Sequence, residues 1–350
     1  MTTAMRTPAP APASRRAARD RRGTLPVAVR GLGAALPSTI VTNDDLAARM
    51  DTNDEWIRSR TGITQRHVAA AGQATSDLAA EAGAAAIADA GLQASDIATI
   101  LVATTTPDHA IPGCAPLVAA KLGTTAAALD VNAACSGFVY GLRVAGGLAR
   151  TGDGPILLVG AEIFTRVVGP DDRDVAILFG DGAGAVVLEA DDDGRLGPFD
   201  LGSDGTDPSM LWCEAGGTAL PATAALVDDG RHHLTMRGRE VYRHAVATMS
   251  DSSRRVLAAA GLGIDDVDLL VGHQANRRIL AAVGDRLGID EARCHVSVDR
   301  HANTSAASIP LALADARDAG VLTEGDLVLL TAFGAGLTWA STLLTWEPTR

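Results

Sequence analysis

Three residues of this chain have types and placements suited to covalent chemistry. Cys135 lies in Asp130-Val131-Asn132-Ala133-Ala134-Cys135-Ser136-Gly137-Phe138, where an apolar, strand-like run from Leu129 to Val131 meets Phe138, Leu142, Ala145, Leu148 and Ala149 at helical spacing. A cysteine at such a strand-to-helix turn faces the first free N–H groups of the helix, and their partial positive charge favours a thiolate. The stretch alone fits a buried packing cysteine equally well. His273 follows the apolar run Leu269-Leu270-Val271-Gly272, and Asn303 opens a second small-residue turn, Asn303-Thr304-Ser305. A neutral histidine and an asparagine both donate hydrogen bonds without carrying charge. Such a pair suits a carbonyl oxygen as it becomes an enolate, beside a thiol that carries an acyl group. Both could also serve only as helix caps.

An internal repeat supplies the elements that would position them. Ala86-Ile87-Ala88-Asp89-Ala90-Gly91-Leu92, then Asp96-Ile97 and Ile100-Leu101, matches Val256-Leu257-Ala258-Ala259-Ala260-Gly261-Leu262, then Asp266-Val267 and Leu270-Val271. Lys121-Leu122-Gly123 is echoed by Arg286-Leu287-Gly288, and Gly154-Pro155-Ile156-Leu157-Leu158 by Gly325-Asp326-Leu327-Val328-Leu329. A period of about 170 residues is too long for a solenoid and fits a duplicated α/β unit, residues 23–195 and 196–350, with mostly parallel sheets. In register, the Cys135 turn falls opposite Asn303-Thr304-Ser305, so two helix N-termini point toward one site at the carboxyl ends of strands. Within the first unit, Val27 to Gly33 reads as a strand, Thr42-Asn43-Asp44-Asp45 as a helix N-cap, Glu55 to Thr61 as a short helix ending at Gly62, and Ser76 as the cap of a helix running to Gly91.

Bulk properties narrow the function classes. The 350 residues carry a formal charge of −12, and 47% are apolar. Such a chain has no excess basic surface for a general nucleic-acid binder. Cys114, Cys135, Cys213 and Cys294 form no CxxC pair and have no histidine at zinc-ligand spacing, so neither a metal site nor a disulfide framework is expected. No apolar run reaches the ~20 residues of a membrane span. Residues 1–22, rich in Ala, Pro and Arg, lack the apolar segment of a secretion signal and read as a disordered tail. A cytoplasmic protein without membrane attachment is expected. Gly180-Asp181-Gly182-Ala183-Gly184-Ala185 precedes a strand and not a helix, which argues against a nucleotide loop. The local context of Cys135 also differs from that of papain-like proteases.

Six motifs, in order, carry a resemblance that spans about Val27 to Trp346. They are Asp54-Glu55-Trp56-Ile57 with Arg60-Thr61-Gly62-Ile63; Asp130 to Phe138; Phe179 to Ala185; Gly272-His273-Gln274-Ala275-Asn276; Asn303-Thr304-Ser305-Ala306-Ala307-Ser308-Ile309-Pro310; and Phe333-Gly334-Ala335-Gly336-Leu337-Thr338-Trp339. Together they resemble the β-ketoacyl-acyl-carrier-protein synthase III family of the thiolase superfamily. The resemblance implies a homodimer with the five-layer αβαβα thiolase-like fold, acting on acyl-CoA and malonyl-acyl carrier protein without a cofactor or metal. Cys135 would store the acyl group, while His273 and Asn303 would hold the malonyl thioester as it loses carbon dioxide. The N–H groups of Cys135 and Ala335 would form the oxyanion hole, with Phe333 beside the cysteine.

The resemblance further places Trp56 and Arg173 about the adenine of coenzyme A. It places Arg278 and Arg243 at the tunnel mouth for the carrier protein, with Arg277, Arg237 and Arg239 nearby in sequence. Two departures stand out. Ala335 replaces a usual glycine, and Ile111 replaces an aromatic residue often found where one subunit lines its partner's acyl pocket, which leaves room for a longer or branched primer. Fatty-acid initiation is the leading expectation and supply of a polyketide starter unit the runner-up. An ester-forming acyltransferase would be expected to carry a carboxylate in place of Asn303, and a silent scaffold would be expected to lose the nucleophile.

Overall fold

The computed structural model describes residues 23–152 and 154–347. The expected disordered tail, residues 1–22, lies outside the described residues. In chain order the first elements are β1 (Val27–Ala35), β2 (Thr39–Thr42), α1 (Asn43–Ala47), α2 (Asp54–Thr61), β3 (Gln65–Val68), α3 (Thr75–Asp89) and β4 (Thr99–Ala103). They continue with α4 (Cys114–Leu122), β5 (Ala127–Val131), α5 (Gly137–Arg150), β6 (Ile156–Ile163), α6 (Arg173–Ala176) and β7 (Asp181–Ala190). Then follow β8 (Leu196–Ser203), β9 (Leu211–Cys213), α7 (Ala224–Asp228), β10 (Leu234–Met236), α8 (Gly238–Ala260) and β11 (Leu269–Gly272). The last are α9 (Arg277–Leu287), α10 (Val298–His301), α11 (Ser308–Asp318), β12 (Leu327–Gly334) and β13 (Thr338–Thr345).

Two sheets carry the repeat. The first has the order β1-β7-β6-β4-β5 and the second β8-β13-β12-β11. In both, the first two pairings are antiparallel and the next is parallel: β1 with β7, β7 with β6, β6 with β4, and likewise β8 with β13, β13 with β12, β12 with β11. The sheets are therefore mixed, not mostly parallel as the helix–strand alternation suggested, because the last strand of each set runs back beside its predecessor. The counterpart of β5 in the second sheet shrinks to one bridge, Leu270 to Cys294.

Apolar pattern explains the layers. All eight residues of β6 and of β12 are buried, as expected for strands covered on both faces. Helices α5 and α11 lie between the sheets: Phe138, Leu142 and Ala145 of α5 share one core with Ile309, Ala312 and Leu313 of α11 and with residues of both sheets. Outside the first sheet, α3 and α4 form a second core, and outside the second sheet α8 and α9 form a third. The result is five layers, αβαβα, of the thiolase-like kind. Local signals set the element ends as read from sequence, with Thr42 and Asp45 forming a capping box on α1 and Gly62 ending α2 at φ 81°. One boundary differs. Helix α3 begins at Thr75, with Asp77 closing back on Ala74 N–H, and the Ser76 hydroxyl instead bonds Asp108 at 2.5 Å.

Candidate active site

The two small-residue turns are built alike. After β5 the chain enters a 3-10 turn, Ala134–Ser136, and then α5; after α10 it enters Ser305–Ala307 and then α11. Ala134 takes φ 46° and Ser305 φ 49° at matching places, a left-handed conformation that costs a non-glycine residue about 1–2 kcal/mol. Each is held by an asparagine two residues earlier. Asn303 Oδ1 accepts the Ser305 N–H at 2.8 Å, and Asn132 Oδ1 accepts that of Ala134 at 3.4 Å. The turns meet the sheets closely. A Cβ on Gly160 of β6 would collide with the Ala306 carbonyl, and one on Gly334 of β12 would lie 2.7 Å from Cys135 N.

Cys135, His273 and Asn303 are 8%, 4% and 6% exposed and line one cavity of about 660 Å³. Phe333, Phe179, Leu211, Met236 and Met249 supply its apolar wall, while Trp56, Arg60, Arg239 and Arg278 also border it. His273 stands at the carboxyl end of β11, its N–H bonded to Thr331 O at 2.8 Å. Its Nδ1 lies 2.6 Å from Ser308 Oγ, which also receives the Gln274 N–H at 3.3 Å. Burial pushes the His273 pKa down to about 3, so the ring is neutral at physiological pH. Asn303 uses its side-chain oxygen within the turn, which leaves Nδ2 as the donor for a bound molecule. Neither residue caps a helix: Asn276 caps α9, and Gln274 Oε1 receives the Ser297 and Val298 N–H groups at the start of α10.

The cysteine departs from the sequence expectation. Its helix N-terminus favours a thiolate, yet burial above all, together with the nearby Glu162 carboxylate, pushes the thiol up to about 12, with the polar Ser305 side chain acting in the opposite direction. Sequence reasoning missed three residues here. Ser305 and Ser308 lie inside the Asn303-to-Pro310 motif, and Glu162 is a lone carboxylate in the apolar run Val159-Gly160-Ala161-Glu162-Ile163.

The other sequence candidates are spread around this centre. Ala335 sits in the β12–β13 turn, where φ is positive at Gly336 and not at Ala335, so its side chain is accommodated. Arg173 stacks on Trp56 at 4.8 Å, with Arg60 on the same ring at 4.4 Å. A base between Trp56 and Arg173 therefore requires Arg173 to swing away from the ring and from Asp51 O, which it bonds at 2.9 Å. Arg278 approaches the Tyr242 ring at 5.9 Å, Arg243 is exposed, and Arg277 pairs with Glu291 at 3.5 Å. Arg237 is occupied by Asp207 and Glu240. Ile111 is 90% exposed and is not among the residues that line the cavity of its own chain. Among the described residues, no group of three or more His, Cys, Asp or Glu could hold a metal ion.

Comparison with known proteins places the chain in a family. Residues 129–205 match the family profile of 3-oxoacyl-[acyl-carrier-protein (ACP)] synthase III, and residues 257–346 match the profile of its C-terminal part. A β-ketoacyl-[acyl-carrier-protein] synthase III of Streptomyces coelicolor is 50% identical over 321 residues, covering 90% of this chain and 96% of that protein. The chain belongs to the 3-oxoacyl-[acyl-carrier-protein] synthase III family. Membership makes it a ketoacyl synthase, an acyltransferase. The crystal structure of the synthase III from Pseudomonas aeruginosa PAO1 superposes with a TM-score of 0.85 at 45% identity, covering 93% of this chain and 99% of that one. A priming β-ketosynthase from the R1128 polyketide biosynthetic pathway gives a TM-score of 0.85 at 34% identity, covering 94% and 98%.

Proposed function

We propose that the chain condenses an acyl-CoA primer with malonyl-acyl carrier protein and so initiates fatty-acid synthesis. The observation that carries this reading is the convergence of a buried thiol and two neutral donors, from three separate elements, on one cavity. Cys135 Sγ attacks the primer thioester, and the N–H groups of Cys135 and Ala335 receive the oxyanion. The close approach of Gly334 to Cys135 N supports that geometry. His273 and Asn303 then donate to the malonyl thioester carbonyl. Carbon dioxide leaves, the enolate is held by donors that need no proton from solvent, and its carbon attacks the acyl-Cys135 to give a 3-ketoacyl product. With Gln274 N–H donating to Ser308 Oγ, the serine proton is available to His273 Nδ1, which favours a proton on Nε2 for the carbonyl.

Trp56 and Arg173 are assigned to the adenine of coenzyme A, and Arg278, Arg243 and Arg277 to the acidic carrier protein. Exposed Ile111 and the half-exposed Leu129 on edge strand β5 support a homodimer in which Ile111 reaches the partner's acyl pocket. The matching strand orders of the two sheets support two duplicated units, 23–195 bearing Cys135 and 196–350 bearing His273 and Asn303. The reaction as read needs no cofactor beyond its substrates. No helix among the described residues is long and apolar enough to cross a membrane, and the four cysteines are free thiols, which supports a cytoplasmic setting. The test is incubation with labelled acyl-CoA followed by malonyl-acyl carrier protein. Label should appear on Cys135 and leave as 3-ketoacyl-carrier protein; turnover persisting in Cys135→Ala overturns the reading.

A further inference from the structure

Asn303 stands between two non-glycine residues with positive φ. Ser305 takes φ 49°, and Ala302 takes φ 58° with ψ −163°. The Ala302 torsions fall in a region that essentially only glycine enters, and another residue stays there only when its surroundings fix the chain on both sides. Ala302 is fully buried. On its Asn303 side the backbone is tied to the loop before β7: the Asn303 N–H bonds Leu178 O at 2.8 Å, and the Gly180 N–H bonds Asn303 O at 3.1 Å. The fit there is close, since a Cβ on Gly180 would lie 2.7 Å from His301 O and 3.5 Å from the Ala302 Cβ. On the other side stands His301, the last residue of α10, a helix of four residues and too short to brace itself. His301 Nε2 lies 2.9 Å from Asp315 Oδ2 on α11. Its Nδ1 is buried and has no hydrogen-bond partner among the described residues, so the ring donates through Nε2. The same Asp315 oxygen pairs with the half-exposed Arg300 at 3.1 Å.

Helix α11 meets the mounts of both carbonyl donors. Its first residue, Ser308, holds His273 Nδ1 at 2.6 Å. Asp315 comes seven residues later, two turns along and on the same side of the helix, and holds His301. We propose that Asp315 is a positioning residue for the condensation step: through His301 it keeps Ala302 in its strained conformation and so aims the Asn303 amide into the cavity. The inference rests on the proposed function. Helix α11 then sets the two donors against each other, His273 through Ser308 and Asn303 through Asp315. Once the Asp315 contact is lost, Ala302 relaxes out of the left-handed region and turns Asn303 with it. The Cys135 turn is carried by β5 and α5, so acylation draws on this tie far less. Asp315 touches no substrate; it acts through the backbone between His301 and Asn303.

The experiment compares the full-length wild type with Asp315→Ala, Asp315→Asn, Ala302→Gly and the double variant of Asp315→Ala with Ala302→Gly. Acylation of Cys135 by acyl-CoA is followed by intact mass, and condensation by steady-state turnover with malonyl-acyl carrier protein. Asp315→Ala should lower kcat for condensation about tenfold, with KM for malonyl-acyl carrier protein and the acylation rate within about twofold of wild type. Asp315→Asn keeps an acceptor for His301 Nε2 and should retain most of the kcat. Glycine enters the Ala302 conformation without steric strain, so the double variant should recover to the kcat of Ala302→Gly itself. In a crystal structure of Asp315→Ala, Ala302 should have left the left-handed region. Equal losses in acylation and condensation, a double variant as slow as Asp315→Ala, or an Asn303 turn unmoved in the crystal would each overturn the inference. Should Asp315→Ala not fold, His301→Leu, which cuts the same contact and keeps a bulky side chain, decides by the same comparisons. A wild type that does not condense would strike the proposed function, whereas the crystal readout needs no turnover and judges Asp315 by itself.

Discussion

His273 Nδ1 and Ser308 Oγ lie 2.6 Å apart, so the first residue of the central helix α11 holds the imidazole that the end of β11 presents to the cavity. The contact joins the middle layer to the second sheet, and it leaves only the other ring nitrogen to face a substrate. Ser308→Ala removes the orienting group and leaves a buried ring nitrogen without a partner, at a cost of about 1–3 kcal/mol. Condensation with malonyl-acyl carrier protein should fall roughly tenfold to a hundredfold, while acylation of Cys135, followed by intact mass, stays near the wild-type rate. Equal loss in both steps would assign Ser308 to the general scaffold.

The depressed pKa of His273, about 3, has a pH consequence of definite sign. Below about pH 6.5 the unfolded chain binds a proton on this histidine that the native state does not bind. His273 therefore contributes a loss of stability as pH falls from about 6.5 toward 3, and nothing above that window. Urea unfolding at pH 7 and pH 5 should show a smaller drop in His273→Asn than in the wild type. An equal drop would mean that His273 is protonated in the native state.

Gly334 is a site where one methyl group matters. Its Cβ would stand 2.7 Å from Cys135 N and 3.2 Å from the Cys135 Cβ. Because the nearest atom is backbone, Gly334→Ala should cost about 1–3 kcal/mol in stability. It should also slow Cys135 acylation far more than any effect on its unfolding. Calorimetry beside a single-turnover acylation assay separates the two; unchanged acylation would mean that β12 does not hold the nucleophile in place.

Arg243 is exposed, and no ion pair of its side chain occurs among the described residues. Under the proposed carrier-protein contact, Arg243→Glu should raise KM for malonyl-acyl carrier protein about tenfold at low salt, with the difference shrinking as salt screens the charges. Acylation by acyl-CoA should be unaffected. A KM that does not respond to the substitution would place the carrier protein elsewhere.

Among the described residues Ile111 is the least covered large apolar side chain, 90% exposed in a single chain. If it enters a partner's acyl pocket, Ile111→Phe should shift primer choice toward acetyl-CoA by about tenfold relative to longer or branched primers, since filling apolar space is worth about 1–3 kcal/mol. Competition between labelled primers measures this directly.

The sequence by itself carried the duplication, most strand and helix ends, and the three residues singled out as candidates for chemistry. Each of these rests on local chemistry: apolar period, capping side chains, glycine at turns, and short motifs in a fixed order. The placement of Cys135 and Asn303 at matching turns was also legible, because both halves of the repeat keep the same spacing. Tertiary structure alone decided the electrostatics. The helix N-terminus argued for an easily formed thiolate at Cys135, but burial and a carboxylate from another strand act in the opposite direction. Glu162 and Ser305 are 143 residues apart, and nothing in either segment announces that they meet. The stacking of Arg173 on Trp56, where an open slot for a base was expected, depends in the same way on how distant elements pack. Local pattern determines which elements form, whereas a pKa depends on burial and on neighbours, and those exist only once the sheets have closed on α5 and α11.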